Sequence, residues 1–244
     1  NEIGFSSLFS IGNKADVDEL DLVEALAEDK ATKVIAGYLE SIGDGNAFVN
    51  RAEQISHDKP ILLMKSGGTA AGAKAASSHT GSLAGSEVAY EAMFERAGII
   101  RCDSIRQQFD YAQAFANQPL PAGSRVAVIT NAGGPGIMAT DAIEREGLEF
   151  ATLSDETVEK LASELPAAAN IHNPVDILGD ALADRYKFAL DVVIGDPGVD
   201  IVLVLLTPQA MTEAGATAEA VVATSQKESG KPILACFLGA EKVR

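Results

Sequence analysis

The sequence predicts an α/β protein made of two tandem, doubly wound domains with parallel sheets. Short runs rich in Val, Ile and Leu alternate along the chain with segments of helical periodicity, which is the pattern of βα units. Hydrophobic residues make up 47% of the 244 residues and aromatic residues only 5%, a composition typical of parallel sheets covered by helices. A stretch with two prolines and a glycine, residues 118–123, separates two similar halves and reads as a linker.

The first half, residues 1–117, is expected to form one domain. Its apolar runs predict strands at residues 7–11, 33–39, 61–65 and 98–101. Helical periodicity predicts helices at residues 18–27, 46–56, 86–97 and 104–117.

The second half, residues 124–244, repeats this organisation. Strands are predicted at residues 125–130, 149–152, 201–206 and 232–237, and helices at 135–146, 154–164, 183–195 and 213–229. Both halves read as flavodoxin-like, a fold of five parallel strands. Because each half offers one strand fewer, we expect each domain to be incomplete at its outer end and the chain to be a fragment of a longer protein.

Composition excludes several classes of partner and site. The formal net charge of −16 argues against binding to nucleic acid or to an anionic membrane surface. The longest apolar runs have the length of strands, so no membrane span is expected. Cys102 and Cys236 lie far apart and form no CxxC pair. We therefore expect no disulfide framework and no metal site, and a location in the reducing cytoplasm.

A long loop in the first domain contains the principal candidate for catalysis, His79. Residues 66–85 separate a predicted strand from the next helix and consist mainly of Gly, Ala, Ser and Thr. Connections in compact α/β domains are usually about two to six residues long, so a loop of this length suggests function. A lone histidine is more often structural, but neutral imidazole is also a nucleophile. The neighbours that could bind phosphate oxygens are Ser77, Ser78, Thr80, Gly81 and Ser82.

Glu40 is the candidate partner of this histidine. It follows the predicted strand at residues 33–39, and the carboxyl ends of parallel strands meet at one edge of a sheet. A carboxylate that accepts the Nδ1–H of an imidazole fixes its tautomer and leaves Nε2 free to react. The alternative is a solvated loop glutamate, and Asp44 is a weaker candidate for the same role.

A glycine-rich turn in the second domain is the candidate for a second phosphate-binding element. It follows the predicted strand at residues 125–130 and opens a helix whose free N–H groups and dipole favour an anion. It is not a Walker motif, since no Gly-Lys-Ser/Thr follows, and a glycine turn alone is weak evidence. The candidate residues are Asn131, Gly133, Gly134 and Gly136.

These motifs together resemble those of the NDP-forming acyl-CoA synthetases of the succinyl-CoA synthetase superfamily. The stretches Lys65-Ser66-Gly67 and Ser78-His79-Thr80-Gly81-Ser82-Leu83-Ala84-Gly85 resemble the phosphohistidine loop of ADP-forming acetyl-CoA synthetases. The glycine turn resembles that of the β-subunit-type domain of succinyl-CoA synthetases. Residues 173–179 are similar to a loop of the ADP-forming enzymes, in which Asp176 either orients the phosphate loop or is a turn carboxylate. His57 and His172 are given no role.

The resemblance implies a reaction and the partners that it needs. His79 would take a phosphoryl group from an acyl phosphate and pass it to ADP or GDP, with Glu40 holding the imidazole. The substrates would be coenzyme A and a nucleotide, ATP or ADP with Mg²⁺, bound mainly by a CoA-binding domain and an ATP-grasp domain or subunit that residues 1–244 lack. We therefore expect an oligomer, and no synthetase activity from these residues alone.

Two other functions are consistent with the same composition. One is a regulatory, synthetase-like module of a protein lysine acetyltransferase, in which the loop often lacks the reactive histidine. The other is a flavodoxin-like FMN binder, which the scarcity of aromatic residues and the absence of Trp disfavour.

Overall fold

A computed structural model describes residues 4–12, 14, 16–67, 87–227 and 230–239. The chain divides into two compact units, Asn1–Asn117 and Gln118–Arg244. Strands pair in parallel within each unit and alternate with helices, so the predicted α/β class is confirmed. Among the described residues, no helix is long and apolar enough to cross a membrane.

The first unit contains a sheet of three parallel strands in the order β1-β2-β3. The strands are β1 (Ile35–Leu39), β2 (Ile61–Lys65) and β3 (Ile100–Arg101). The helices are α1 (Glu19–Glu28), α2 (Gly45–Ser56), α3 (Glu87–Arg96) and α4 (Ile105–Asn117). Phe48, Ile61 and Leu63 lie in the core between the sheet and these helices.

Local sequence explains where the first two helices begin. Asp18 caps α1 by accepting hydrogen bonds from the N–H groups of Leu20 and Asp21. Asp44 caps α2 in the same way, through its bonds to Asn46 and Ala47. Because the first N–H groups of a helix have no partner within the helix, these carboxylates stabilise both starts.

The predicted strand at residues 7–11 is wrong. The structure has no strand there, and Leu8 and Phe9 are 83% and 53% exposed. Alternation of apolar and polar residues favours a strand only where a neighbouring strand supplies hydrogen bonds, and the described sheet ends at β1. β1 is thus the edge strand of this sheet in the part of the chain that the structure describes.

The second unit contains a larger parallel sheet in the order β5-β4-β7-β8, with β6 also paired to β4. Its strands are β4 (Arg125–Thr130), β5 (Glu149–Phe150), β6 (Val175–Asp176), β7 (Ile201–Leu206) and β8 (Ile233–Phe237). Its helices are α5 (Gly133–Arg145), α6 (Asp155–Glu164), α7 (Ala183–Ile194) and α8 (Ala214–Ser225). The chain runs from β4 to one side and returns to its other side at β7, which is the doubly wound order.

The sequence did not predict the short strand β6. The side chain of Asn173, two residues before this strand, holds the chain against β4. The Asn173 amide donates to the carbonyls of Val126 and Ala151, at 2.9 Å each, and accepts from the N–H of Val128 at 2.9 Å. Asn173 therefore continues the hydrogen bonding along β4 between its two short partners, β5 and β6.

The amino ends of β4 and β7 are joined by an ion pair. The Arg125 guanidinium donates to both carboxylate oxygens of Asp200, at 2.7 and 2.8 Å, and the Arg125 N–H adds a bond of 3.0 Å. The hydrogen bond from the Arg125 side chain is the main reason that the pKa of Asp200 falls to about 2. A bidentate pair of this kind fixes geometry as well as charge.

Asp200→Asn is expected to destabilise the second unit in a way that depends on pH. A carboxylate whose pKa is lower in the folded state stabilises that state above its ordinary pKa, and the stabilisation is lost as the pH falls. The free energy of unfolding should therefore differ most between wild type and variant at pH 6–7, and the difference should shrink between about pH 4 and pH 2. Chemical denaturation at stepped pH measures this difference.

Asp141→Asn is the matched control for that comparison. Asp141 is exposed on α5 and has no ion-pair partner within the described residues, so the substitution changes the net charge alone. A pH-independent difference for Asp200→Asn, or an equal effect of Asp141→Asn, would contradict the prediction.

Candidate functional site

The candidate residues of the histidine loop lie outside the described part of the chain. These are Ser78, His79, Thr80, Gly81 and Ser82. Glu40 lies in the first unit, and the glycine turn and Asp176 lie in the second.

Glu40 lies at the carboxyl edge of the first sheet, next to the start of the histidine loop. Leu39 and Lys65 are register partners across β1 and β2, and the Ser66 N–H donates to the Leu39 carbonyl at 3.0 Å. Glu40 and Ser66 therefore leave the sheet side by side. The Glu40 side chain is half-buried, and within the described residues no group donates a hydrogen bond to its carboxylate. The carboxylate is thus available to accept the N–H of an imidazole.

Lys65 is a buried cation at the same edge, and the sequence argument gave it no role of its own. Its side chain is 8% exposed, its Nζ donates to the Ser66 carbonyl at 2.5 Å, and it lies 4.6 Å from the centre of the Tyr90 ring. Burial lowers the pKa of Lys65, and the carboxylates of Glu87 and Glu40 oppose this change. The only sign of this buried cation in the sequence is a lysine at the end of an apolar strand.

The weaker candidate, Asp44, has a structural task. Its Oδ1 accepts the N–H groups of Asn46 and Ala47 at 3.1 and 3.0 Å, which makes it the N-cap of α2. The capping bonds hold this carboxylate against the helix, whereas the Glu40 carboxylate has no such bonds. Of the two acids, Glu40 is the one free to bind another group.

In the second unit, two residues pair across the point where the strand order reverses. Asn131 follows β4, Thr207 follows β7, and Asn131 is 1% exposed. The Asn131 amide donates to the Thr207 carbonyl and accepts the Thr207 N–H, each at 2.8 Å. This edge is where open α/β sheets bind ligands. Both ends of the Asn131 side chain bind the Thr207 backbone. Phosphate binding by Asn131 stays a prediction, and it would have to use the backbone N–H of Asn131.

The helix that follows this strand begins without a side-chain cap. Its N-cap is Ala132, whose own N–H is bound by the Thr130 hydroxyl at 3.1 Å. Gly133 and Gly134 are exposed, and the described residues offer no acceptor for their N–H groups. A helix end with free N–H groups and a positive dipole attracts an anion.

Gly136 has a packing role at the same turn. A Cβ at this position would lie 3.1 Å from the Thr130 methyl and 3.6 Å from the Pro174 Cβ. The lack of a side chain therefore lets the first turn of α5 pack closely on the end of β4. Its predicted contact with phosphate is a separate expectation that this packing does not exclude.

Asp176 points toward the same helix start. Its Oδ1 accepts the N–H of Leu178 at 2.9 Å, and its Oδ2 lies 3.6 Å from the place where a Gly133 Cβ would be. A carboxylate repels a phosphate directly beside it but accepts an N–H donor. This position therefore suits the orienting role better than direct contact with phosphate.

The two histidines that were given no role hold no comparable position. His57 and His172 are exposed, the first at the end of α2 and the second in a turn. In the part of the chain that the structure describes, no group of three or more His, Cys, Asp or Glu side chains could hold a metal ion.

Comparison with known families covers nearly the whole chain. Residues 1–115 match the model of the succinyl-CoA ligase like flavodoxin domain, and residues 126–244 match that of the ligase-CoA domain. These two matches cover both compact units.

Similar proteins are longer than this chain. Acetate–CoA ligase [ADP-forming] I of Archaeoglobus fulgidus is 46% identical over 243 residues, which cover 100% of this chain and 34% of the relative. Acetate–CoA ligase [ADP-forming] II subunit alpha of Pyrococcus furiosus is 42% identical, over 97% of this chain and 52% of the relative. The chain thus spans about a third to a half of these relatives.

A solved structure has the same fold. It is the Ca. Korarchaeum cryptofilum dinucleotide forming acetyl-coenzyme A synthetase 1 in complex with phosphate and ADP. The TM-score is 0.89 at 36% sequence identity, over 96% of this chain and 51% of that one.

Asn131→Ala is expected to destabilise the second unit by about 1–3 kcal/mol, because it leaves two backbone groups of Thr207 without partners. Thr207→Val is the matched control, since the Thr207 hydroxyl is buried and has no hydrogen-bond partner among the residues that the structure describes, whereas its backbone bonds to Asn131 would remain. Chemical denaturation should give a clear loss for the first variant and no loss for the second. Equal losses would show that the amide pair is not what stabilises this edge.

Proposed function

We propose a function from one premise, that the chain belongs to the family of succinyl-CoA ligases and ADP-forming acetate–CoA ligases. It forms part of an enzyme that interconverts acyl-CoA, NDP and phosphate with a carboxylic acid, CoA and NTP through a phosphohistidine at His79. The observation that carries the proposal is the carboxylate of Glu40, which accepts no hydrogen bond from any described residue and leaves β1 beside Ser66, where the segment containing His79 begins.

The chemistry assigned to His79 is a pair of phosphoryl transfers. Nε2 attacks the phosphorus of an acyl phosphate, the bond between phosphorus and the acyl oxygen breaks, and the carboxylic acid leaves as its anion. The terminal phosphate oxygen of NDP then attacks the same phosphorus, which breaks the N–P bond and restores neutral imidazole. Glu40 accepts Nδ1–H throughout, so that Nε2 is the free nitrogen and the positive charge on the phosphorylated ring is balanced.

Each unit is assigned its own N–H and hydroxyl donors for phosphate. In the first, these are assigned to Ser78, Thr80, Gly81 and Ser82, which flank the histidine. In the second, the amides of Gly133 and Gly134 extend the positive end of α5 toward an anion, with Asn131 and Gly136 in the same turn. Asp176, whose Oδ2 lies beside Gly133, is assigned the role of orienting the phosphate loop.

Other domains or subunits complete the reaction. Following the resemblance to the family, we assign the nucleotide and Mg²⁺ to an ATP-grasp region, and coenzyme A to a CoA-binding domain, in the part of the relatives that this chain does not cover. The names of the relatives favour ADP as the acceptor and acetate as the acid. We place the assembled enzyme, an oligomer, in the cytoplasm, and expect no turnover from residues 1–244 alone.

The regulatory module of an acetyltransferase has less support. The relatives described above are named as CoA ligases, and the histidine is present in an intact Ser78-His79-Thr80-Gly81-Ser82 sequence. The FMN binder has no support from the matched families.

His79→Asn is expected to abolish phosphorylation of the full-length protein. Wild type and variant, with all their domains or subunits, are incubated with γ-labelled ATP and Mg²⁺ and assayed for acid-labile, alkali-stable label. Label on the wild type alone supports the phosphohistidine, because asparagine has no nucleophilic nitrogen of this kind. A folded wild type without label would overturn the proposed reaction and favour the regulatory module.

Glu40→Gln is expected to slow phosphohistidine formation by about 100-fold, the order of losing one well-placed electrostatic partner. Asp44→Asn is the matched control, because it removes a carboxylate four positions along the chain, while asparagine caps a helix as well as aspartate does. Rapid quenching of the labelling reaction gives both rates. A normal rate for Glu40→Gln together with a slow rate for Asp44→Asn would show that Asp44, and not Glu40, is the partner of the histidine.

A further inference from the structure

The backbone that follows Glu40 is held by side chains from outside its own loop. Glu19 Oε1 accepts the N–H of Gly43 at 2.6 Å, and Glu19 Oε2 lies 2.8 Å from the Lys14 Nζ, an ion pair that lacks the alignment of a hydrogen bond. The Lys14 ammonium also donates to the Ser41 carbonyl. An ion pair with a buried carboxylate therefore binds both a donor and an acceptor of this short segment.

Tyr90 adds a third bond to the same segment. The N–H of Ile42 donates to the Tyr90 hydroxyl at 3.3 Å, and the Tyr90 ring lies under the Lys65 ammonium. Tyr90 belongs to α3 and Lys65 ends β2, so the segment after Glu40 is tied to the elements on both sides of the histidine loop.

These bonds from side chains are what fix the segment. Within the described residues, 41–43 make no hydrogen bond from backbone to backbone, because β1 ends at Leu39 and the α2 cap begins at Asp44. Each of the three residues instead has one backbone group bound by Lys14, Tyr90 or Glu19. Without them, the backbone that carries Glu40 would have the freedom of an ordinary loop.

The burial of Glu19 is difficult to explain as helix capping alone. A carboxylate in the first turn interacts favourably with the helix dipole even when it is exposed, as Asp21 is on the same helix. Glu19 is instead 4% exposed, and burying a carboxylate is costly unless it is paired and hydrogen-bonded. What its burial provides is the two-sided attachment to Lys14 and to Gly43.

We propose that Glu19, together with Lys14 and Tyr90, is a positioning residue for Glu40 and, through Glu40, for the reactive imidazole. The inference rests on the proposed function, in which Glu40 accepts the Nδ1–H of His79. Transfer rates fall steeply when a catalytic group is displaced by a fraction of an ångström to an ångström, so a fixed backbone beside Glu40 raises the rate without touching substrate.

The test compares substitutions on α1 in the full-length enzyme with all its domains or subunits. Glu19→Ala should slow phosphohistidine formation by about tenfold or more, because it frees the 41–43 backbone. Glu24→Ala, the matched control, removes a carboxylate of the same helix that forms an exposed ion pair with Arg51 at 2.9 Å, and should leave the rate unchanged. Glu19→Gln keeps an acceptor for Gly43 and should lie between them.

A positioning role is separated from a structural one by repeating the comparison in a Glu40→Gln background. If Glu19 acts through Glu40, Glu19→Ala should slow phosphohistidine formation by less than about twofold in the Glu40→Gln background. The effects of two substitutions that act on the same group do not add. The full tenfold cost in both backgrounds would show a general loss of structure and overturn the inference. If Glu19→Ala does not fold, Tyr90→Phe, which removes the hydroxyl alone, carries the same comparison.

The two proposals fail in different ways. A wild-type enzyme without label on His79 would reject the proposed function itself. The other outcome is a labelled wild type and a slow Glu40→Gln variant, with Glu19→Ala and Tyr90→Phe both as fast as wild type. This result would reject the positioning role but would still support the proposed function.

Discussion

Parallel pairing of the strands is the constraint on which both units depend. β1 and β2 run in register from Ile35 and Ile61 to Leu39 and Lys65, and β4 pairs with β7 from Val126 and Ile201 onward. Parallel strands require a crossover after each strand, and they bring the residues that follow neighbouring strands to one edge. Glu40 and Ser66 are adjacent for this reason, and so are Asn131 and Thr207.

Side-chain amides complete the hydrogen bonding where the strands are short. Asn173 bridges the gap along β4, Asn131 joins the ends of β4 and β7, and Gln108 donates to the carbonyls of Gly37 and Leu62 on β1 and β2, at 2.9 and 3.0 Å. Each amide is held by more than one backbone group. The backbone near the candidate sites is thus fixed by single residues far away in the chain, and one substitution at such a residue can shift a site that it does not touch.

The sequence was sufficient for features that depend on local pattern. The apolar runs of β2, β4 and β7 define their elements without help from the rest of the chain, and the position of Glu40 follows from where β1 ends. Residues 7–11 have the same local pattern, but a strand also needs a neighbour, which periodicity does not show. β6 is too short to leave a pattern, and its partner Asn170 pairs with it by a single bridge.

The features that sequence could not predict depend on contacts between distant residues. The prediction for Asn131 did not include Thr207, which lies 76 positions away and whose backbone carbonyl binds the Asn131 side-chain amide. The burial of Glu19 depends on a segment 24 positions further along the chain, and an acidic residue at a helix start gives no sign of it. The residues around His79 lie outside the described structure, so their assignment rests on sequence and family.

The free edge of β1 has a consequence for the behaviour of the molecule in solution. In a parallel strand, alternate residues direct their N–H and C=O groups to opposite sides, so Ala36 and Tyr38 present theirs away from β2. Such an edge, in the described part of the chain, is a template for pairing with another copy. The net charge of −16 opposes that contact through a repulsion that dissolved salt screens. Ionic strength therefore controls how readily residues 1–244 associate, and dilute buffer keeps the copies apart.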